Sequence, residues 1–190
     1  MRLLFIIILC FPSLYAIAQE TPEKIFWEKD ILTWEDFIGP QDPSSTYHAN
    51  TSAGLSYSWG VNSQNGVSAL KYEVLSYFNP AGSWVDPESR TNEFLLDHEQ
   101  LHFDITELHA RKLRQKLAEV KIEQLGKDPR GALNKLYENI NKEMALMQQK
   151  YDRESNHSIN AEGEYKWRNF VNDEMKKYED FDSSKKELQP

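Results

Sequence analysis

The stretch Leu95–Arg111, "LLDHEQLHFDITELHAR", gathers three of the chain's five histidines and four carboxylates. Its apolar residues recur at helical spacing, so it reads as part of an α-helix over about 90–124. Thr91 stands as a possible N-cap and Gly126 near the C-terminal end. Within it, His98-Glu99-Gln100-Leu101-His102 fits H-E-x-x-H. Helical residues four apart share a face, about 5–6 Å from each other. Two imidazoles there can bind one Zn²⁺ at roughly 2.1 Å each. Glu99 leans over the same edge, where a carboxylate can take a proton from water.

A catalytic zinc site usually has three protein ligands and an open fourth position. The same straight helix does not supply the third. His109 lies about 10 Å beyond His102 and about 16 Å beyond His98 along the axis. Glu107 and Asp104 are turned from His102 by about 140° and 160°. Leu108 stands where H-E-x-x-H-x-x-G-x-x-H would place its third histidine, and no glycine follows His102 to break the helix. The chain must therefore fold back and deliver a donor from another element.

A second helix, from Pro129 to about Tyr151, provides that return, with proline at its first turn. A short connection makes it antiparallel to the first, and its length brings Tyr151 level with the histidine pair. His157, a few residues on in "KYDRESNHSIN", can then swing in as third ligand. Glu154, Asp152, the helix residues Glu138 and Glu143, and His48 in an earlier loop are the other candidates.

The first half has a different period. Ala53, Leu55, Tyr57, Trp59 and Val61 alternate, as do Leu70, Tyr72 and Val74, with Asn65-Gly66 between the runs. That is an antiparallel hairpin, followed by a loop, "FNPAGSWVDPES". A third helix covers about 165–178. Strands first and helices later read as α+β, one domain over residues 19–182 with a solvated tail at 183–190.

The opening "MRLLFIIILCFPSLYAIAQE" has the order of an export signal, with cleavage expected after Ala18. Cys10 sits inside its apolar run rather than after a small residue, against a lipoprotein reading. Cys10 is also the only cysteine, so no disulfide is expected in the mature chain. The net charge of −8 argues against nucleic acid or anionic lipid as partners. No second long apolar run predicts a membrane span. Oligomeric state is not legible.

Four pieces carry a resemblance across most of the expected mature chain: "LTWEDFIG", "SWV", "LLDHEQLHFDITELHARKLR" and "YDRESNHSIN". They resemble a family of secreted bacterial proteins predicted to be zinc-dependent proteases, long catalogued as a domain of unknown function. The last piece is similar to a family signature Tyr-Asp-x-Glu-Thr-x-His-Gly, with Ser155 and Ser158 replacing Thr and Gly. The resemblance implies His98, His102 and His157 as ligands and Glu99 as general base. The expectation is a zincin-like metallopeptidase binding one Zn²⁺ per chain, exported to the periplasm or beyond, acting on a peptide or protein substrate. Tyr151 is a candidate oxyanion donor or a packing residue. Asp104 either pins a neighbouring loop or is a solvated carboxylate. Arg111, Lys112, Arg114 and Lys116 read as surface charge favoured by the helix dipole. A rival reading is a non-catalytic zinc-binding module of the envelope. Gln19 and Trp27 are only eight positions apart, which leaves little room for an inhibitory propeptide.

Overall fold

A computed structural model describes residues 23–28, 31–65 and 67–182, with the Val67 side chain outside that description. The expected signal at 1–18, with Cys10, and the tail at 183–190 lie outside the described residues. The two alternating runs form β3 (Ala53–Gln64) and β4 (Val67–Phe78), paired antiparallel from Ala53↔Phe78 to Gln64↔Val67. That register leaves two residues for the turn, and Asn65 takes φ +51, as a type I′ turn requires of its first residue. The short β1 (Ile25–Phe26) adds to the other edge of β4, giving the order β1-β4-β3. A second ribbon pairs β2 (Ala49–Asn50) with β5 (Trp84–Val85), so part of the expected 78–89 loop is strand.

Three helices follow: α1 (Glu93–Ala118), α2 (Pro129–Ser155) and α3 (Ala161–Lys177). The architecture is α+β. The boundaries differ from expectation at the caps. Asn92, not Thr91, caps α1 by accepting from the Leu95 N–H at 3.1 Å, and α1 stops at Ala118. Asp128 caps α2, which runs four residues past Tyr151. α3 starts four residues before Tyr165.

α1 lies between the sheet and the other two helices and is buried over most of its length. Phe103 faces a cluster with Trp34, Phe37 and Phe78, whereas Leu113 and Leu117 face Leu55, Val74 and Ile140. Leu101 and Ile105 meet Tyr151, Trp167 and Val171 from α2 and α3. The "LTWEDFIG" piece docks at the first cluster through Leu32, Trp34 and Phe37. Its Gly39 has a physical reason: a Cβ there would sit 2.7 Å from the carbonyl oxygens of Ala81 and Ser83. Asp104 accepts from Trp27 Nε1 at 2.8 Å and Gln100 Nε2 at 2.9 Å, so it pins the β1 segment to α1.

The basic series is corrected in part. Arg111 and Arg114 are buried, 4% and 2% exposed, because β4 and the chain near Asp182 close over that side of α1. Both grip Glu107: Oε1 accepts from Arg111 Nε at 3.0 Å and Arg114 Nη1 at 2.9 Å, while Oε2 accepts from Ser76 Oγ at 2.6 Å. Arg114 Nε also donates to Val74 O at 2.9 Å, which ties α1 to β4. Among the described residues, no helix is long and apolar enough to cross a membrane.

Candidate metal centre

α1 presents His98 and His102 one turn apart, and their Nε2 atoms lie 3.2 Å from each other. α2 returns antiparallel and brings Tyr151 and Asp152 level with them. The Tyr151 ring packs 4.7 Å from the His98 ring and 4.9 Å from the His102 ring. Asp152 Oδ1 lies 2.9 Å from His102 Nε2 and 3.4 Å from His98 Nε2. Among the described residues, these three form a group able to hold a metal ion, all donor atoms within 4.8 Å of one another.

The outer nitrogens of both rings are held. His98 Nδ1 meets Glu164 Oε1 at 2.7 Å, and His102 Nδ1 meets Gln148 Oε1 at 2.5 Å. Gln148 is oriented by its own donations to His102 O and Thr106 Oγ1, so its oxygen must face the ring. Nδ1–H therefore donates in each neutral ring, and both Nε2 lone pairs point inward. Two lone pairs and a carboxylate oxygen converge with no donor between them. Such a cluster needs a cation at its centre.

A proton meets that need in part. Burial acts to lower the His98 pKa, but its hydrogen bonds to Asp152 and Glu164 and the nearby Glu99 charge push it up to about 9. Burial acts to raise Asp152, yet His102 and His98 hold it well below the usual carboxylate range. A divalent metal fits the same space. Tetrahedral bonds of about 2.0–2.1 Å separate ligand atoms by roughly 3.3–3.4 Å, close to the observed edges of 3.2, 3.4 and 2.9 Å. Glu99 adds a second sign. It is 3% exposed, and its Oε2 has no hydrogen-bond partner among the described residues. A buried unpaired carboxylate oxygen costs several kcal/mol unless something absent completes it.

The structure places the other candidates as follows. His157 lies beside the group but outside it, 39% exposed, with Nδ1 3.6 Å from Asp152 Oδ1 and its ring 4.2 Å from Tyr47. Asn156, His157 and Ser158 all adopt positive φ (49°, 49° and 69°), a strained left-handed turn next to the centre. Ser158 occupies the position where the signature quoted above has glycine, the residue that tolerates this φ. The Tyr151 hydroxyl donates to Glu164 Oε2 at 2.5 Å, so it holds a carboxylate behind His98. Burial and the Glu164 charge push its pKa far above the ordinary phenol range. Glu154 accepts from Trp167 Nε1 at 2.9 Å, and His48 pairs with Asp86 at 2.7 Å. Glu138 and Glu143 are exposed on α2.

Sequence reasoning missed Glu164 and Gln148 and ranked Asp152 behind His157. The signal for Glu164 is Gly163. A Cβ at Gly163 would stand 2.5 Å from Glu154 O, so only glycine lets α3 press against the end of α2 and seat Glu164 under His98. No curated protein and no solved structure matches this chain. Residues 28–158 match the family described as "Bacterial protein of unknown function (DUF922)", a span that holds every donor of the centre and His157 while leaving Glu164 beyond it. The chain belongs to the bacterial family of unknown function DUF922.

Proposed function

We propose that the protein is a zinc-dependent hydrolase of peptide bonds, exported by its N-terminal segment, with His98, His102 and Asp152 holding the metal. The observation that supports it best is the convergence of two Nε2 atoms and Asp152 Oδ1 beside a buried, unpaired Glu99 oxygen. Zinc held there would supply a Lewis acid that acidifies water and polarises a carbonyl. Two imidazoles and one carboxylate leave the site a net charge of +1, less than three imidazoles would.

The chain's own residues divide the remaining work. Glu99 accepts the proton that the attacking water loses and delivers it to the leaving amine nitrogen as the C–N bond breaks. Glu164 and Gln148 fix the ring tautomers and orientations. Tyr151 holds Glu164 rather than serving as a free oxyanion donor.

His157 supports a second reading. A donor 3.6 Å from Asp152 Oδ1 is close enough to close the fourth position by a small ring movement, which would make a non-catalytic zinc module. One experiment separates the two. Protein purified without a metal-affinity tag is assayed for bound metal and for cleavage of a broad peptide library, beside Glu99→Gln. The hydrolase reading expects about one zinc in both proteins and cleavage lost by on the order of 10²–10⁴-fold in the variant. Zinc without cleavage in either protein supports the closed module. No metal after zinc is offered and the excess removed overturns both.

A further inference from the structure

A second concave site lies between α1, α2 and α3, away from the metal donors. It is a pocket of about 440 Å³, within the range that holds a small ligand or a large side chain. Its apolar wall is Leu146, Met147, Trp167 and Phe170. Leu146 and Phe170 are 57% and 42% exposed, so this wall is open to an incoming ring. Trp167 also packs on Tyr151, ring centroids 5.6 Å apart, so it stands between the pocket and the metal centre.

His109 forms part of the pocket lining. It is fully buried. Its Nδ1 lies 2.8 Å from Ile105 O, an oxygen that only accepts, so Nδ1 bears the hydrogen. Nε2 is then a bare acceptor, and it has no hydrogen-bond partner among the described residues. Burial, with help from the Lys112 charge, pushes the ring pKa down to about 4, so the acceptor persists at neutral pH. An unmet buried acceptor in an aromatic pocket selects a ligand with a donor at its far end.

The rim sets the charge. Lys112, Lys150 and Lys166 line the pocket against Glu143 and Glu154. Lys150 and Lys166 share Glu154, at 3.8 and 4.0 Å. The balance is one positive charge in favour of an anion.

We propose that this pocket binds a phenol carried on an anionic molecule, the ring against Trp167 and Phe170 and the hydroxyl donating to His109 Nε2. A tyrosine side chain near a free carboxylate is one such group, whether on an amino-acid derivative or at a peptide C-terminus. Such binding does not depend on hydrolysis at the metal centre.

The probes are N-acetyl-tyrosine, N-acetyl-phenylalanine and N-acetyl-tyrosine amide, titrated against the full chain while the Trp167 indole N–H resonance is followed. The tyrosine acid should saturate and bind on the order of tenfold more tightly than the phenylalanine acid, the value of one buried hydrogen bond. The amide should bind more weakly than the acid. Phe170→Asp, at a half-exposed position and with folding checked by circular dichroism, should abolish the shift. His109→Leu should erase the tyrosine preference, and if that variant does not fold, the comparison in the unaltered protein still decides. Equal affinity for the two acids, no saturable shift with either, or full binding by Phe170→Asp would each overturn the proposal.

Discussion

Asp152→Asn tests which donor completes the metal centre. Asn keeps the shape of Asp152 and removes its charge. The carboxylate oxygen stands 2.9 and 3.4 Å from the two Nε2 atoms, while His157 reaches only to within 3.6 Å of that same oxygen. Removing one member of a buried charge pair costs about 3–5 kcal/mol, which is a zinc affinity lower by roughly 10²–10⁴-fold. His157→Ala acts one contact further out, where losses run about 10–100-fold. His109→Ala should leave affinity unchanged, because its ring lies about 16 Å along α1 from His98. The assay is competition with a chromophoric zinc chelator, on untagged variants whose folding has been checked by circular dichroism. The order expected is Asp152→Asn worst, His157→Ala intermediate, His109→Ala unaffected. A larger loss in His157→Ala than in Asp152→Asn would refute the two-imidazole, one-carboxylate set. It would restore the three-imidazole set that the sequence suggested.

Three further outcomes follow from the geometry. Glu107→Gln should lower stability by about 3–5 kcal/mol in urea denaturation, because it leaves buried Arg111 and Arg114 without their shared anion; a loss under 1 kcal/mol would mean that water reaches the cluster. Ser158→Gly should raise stability by about 0.5–1 kcal/mol, since φ +69 strains serine and not glycine, and an unchanged melting temperature would show the turn to be unstrained. His109 stays neutral in the folded chain down to about pH 4, whereas the unfolded chain takes up a proton below its ordinary 6.5. Its contribution is therefore complete above 6.5 and is lost as pH falls towards 4, on the order of 3 kcal/mol in all. His109→Phe should flatten that part of the stability–pH curve, and parallel curves would contradict the neutral buried ring.

What could be read from the sequence was periodic. Tyr57 and Val74 alternate with polar neighbours because one face of their hairpin is buried, and Asn65 marked the turn. The return of α2 was legible as a length, so Tyr151 came out level with the histidines. The buried arginines were not legible. Arg111 and Arg114 look like a dipole-favoured surface series until the sheet, α3 and the chain near Asp182 close around α1. Glu164 was hidden for a similar reason. An acidic residue in the first turn of a helix is ordinary capping chemistry, and only the close approach at Gly163 turns it inward. Asp152 was visible as a candidate but ranked low, because a histidine five residues on drew the weight. The left-handed turn that follows α2 keeps that histidine at the rim.

Two acidic clusters thus meet along α1, one matched in charge and one not. At Glu107 the charge is matched: two arginines and a serine hydroxyl converge on one carboxylate. About two turns earlier on α1, Glu99 joins Asp152 of α2 and Glu164 of α3 around two imidazoles, and their only ion-pair partners among the described residues are histidines. The three carboxylates outnumber the two imidazoles between them. Burying such an excess destabilises the chain by itself. The surroundings hold it in place all the same: Gln148 donates to His102 O, Tyr151 to Glu164, and the Glu107 cluster locks α1 to β4. A divalent cation between the two Nε2 atoms and Asp152 would offset the excess, and the 2.9–3.4 Å spacing of the donors suits one. The matched cluster ties α1 to β4, and the unmatched one lies beside the partly exposed side chains of Asp152 and His157.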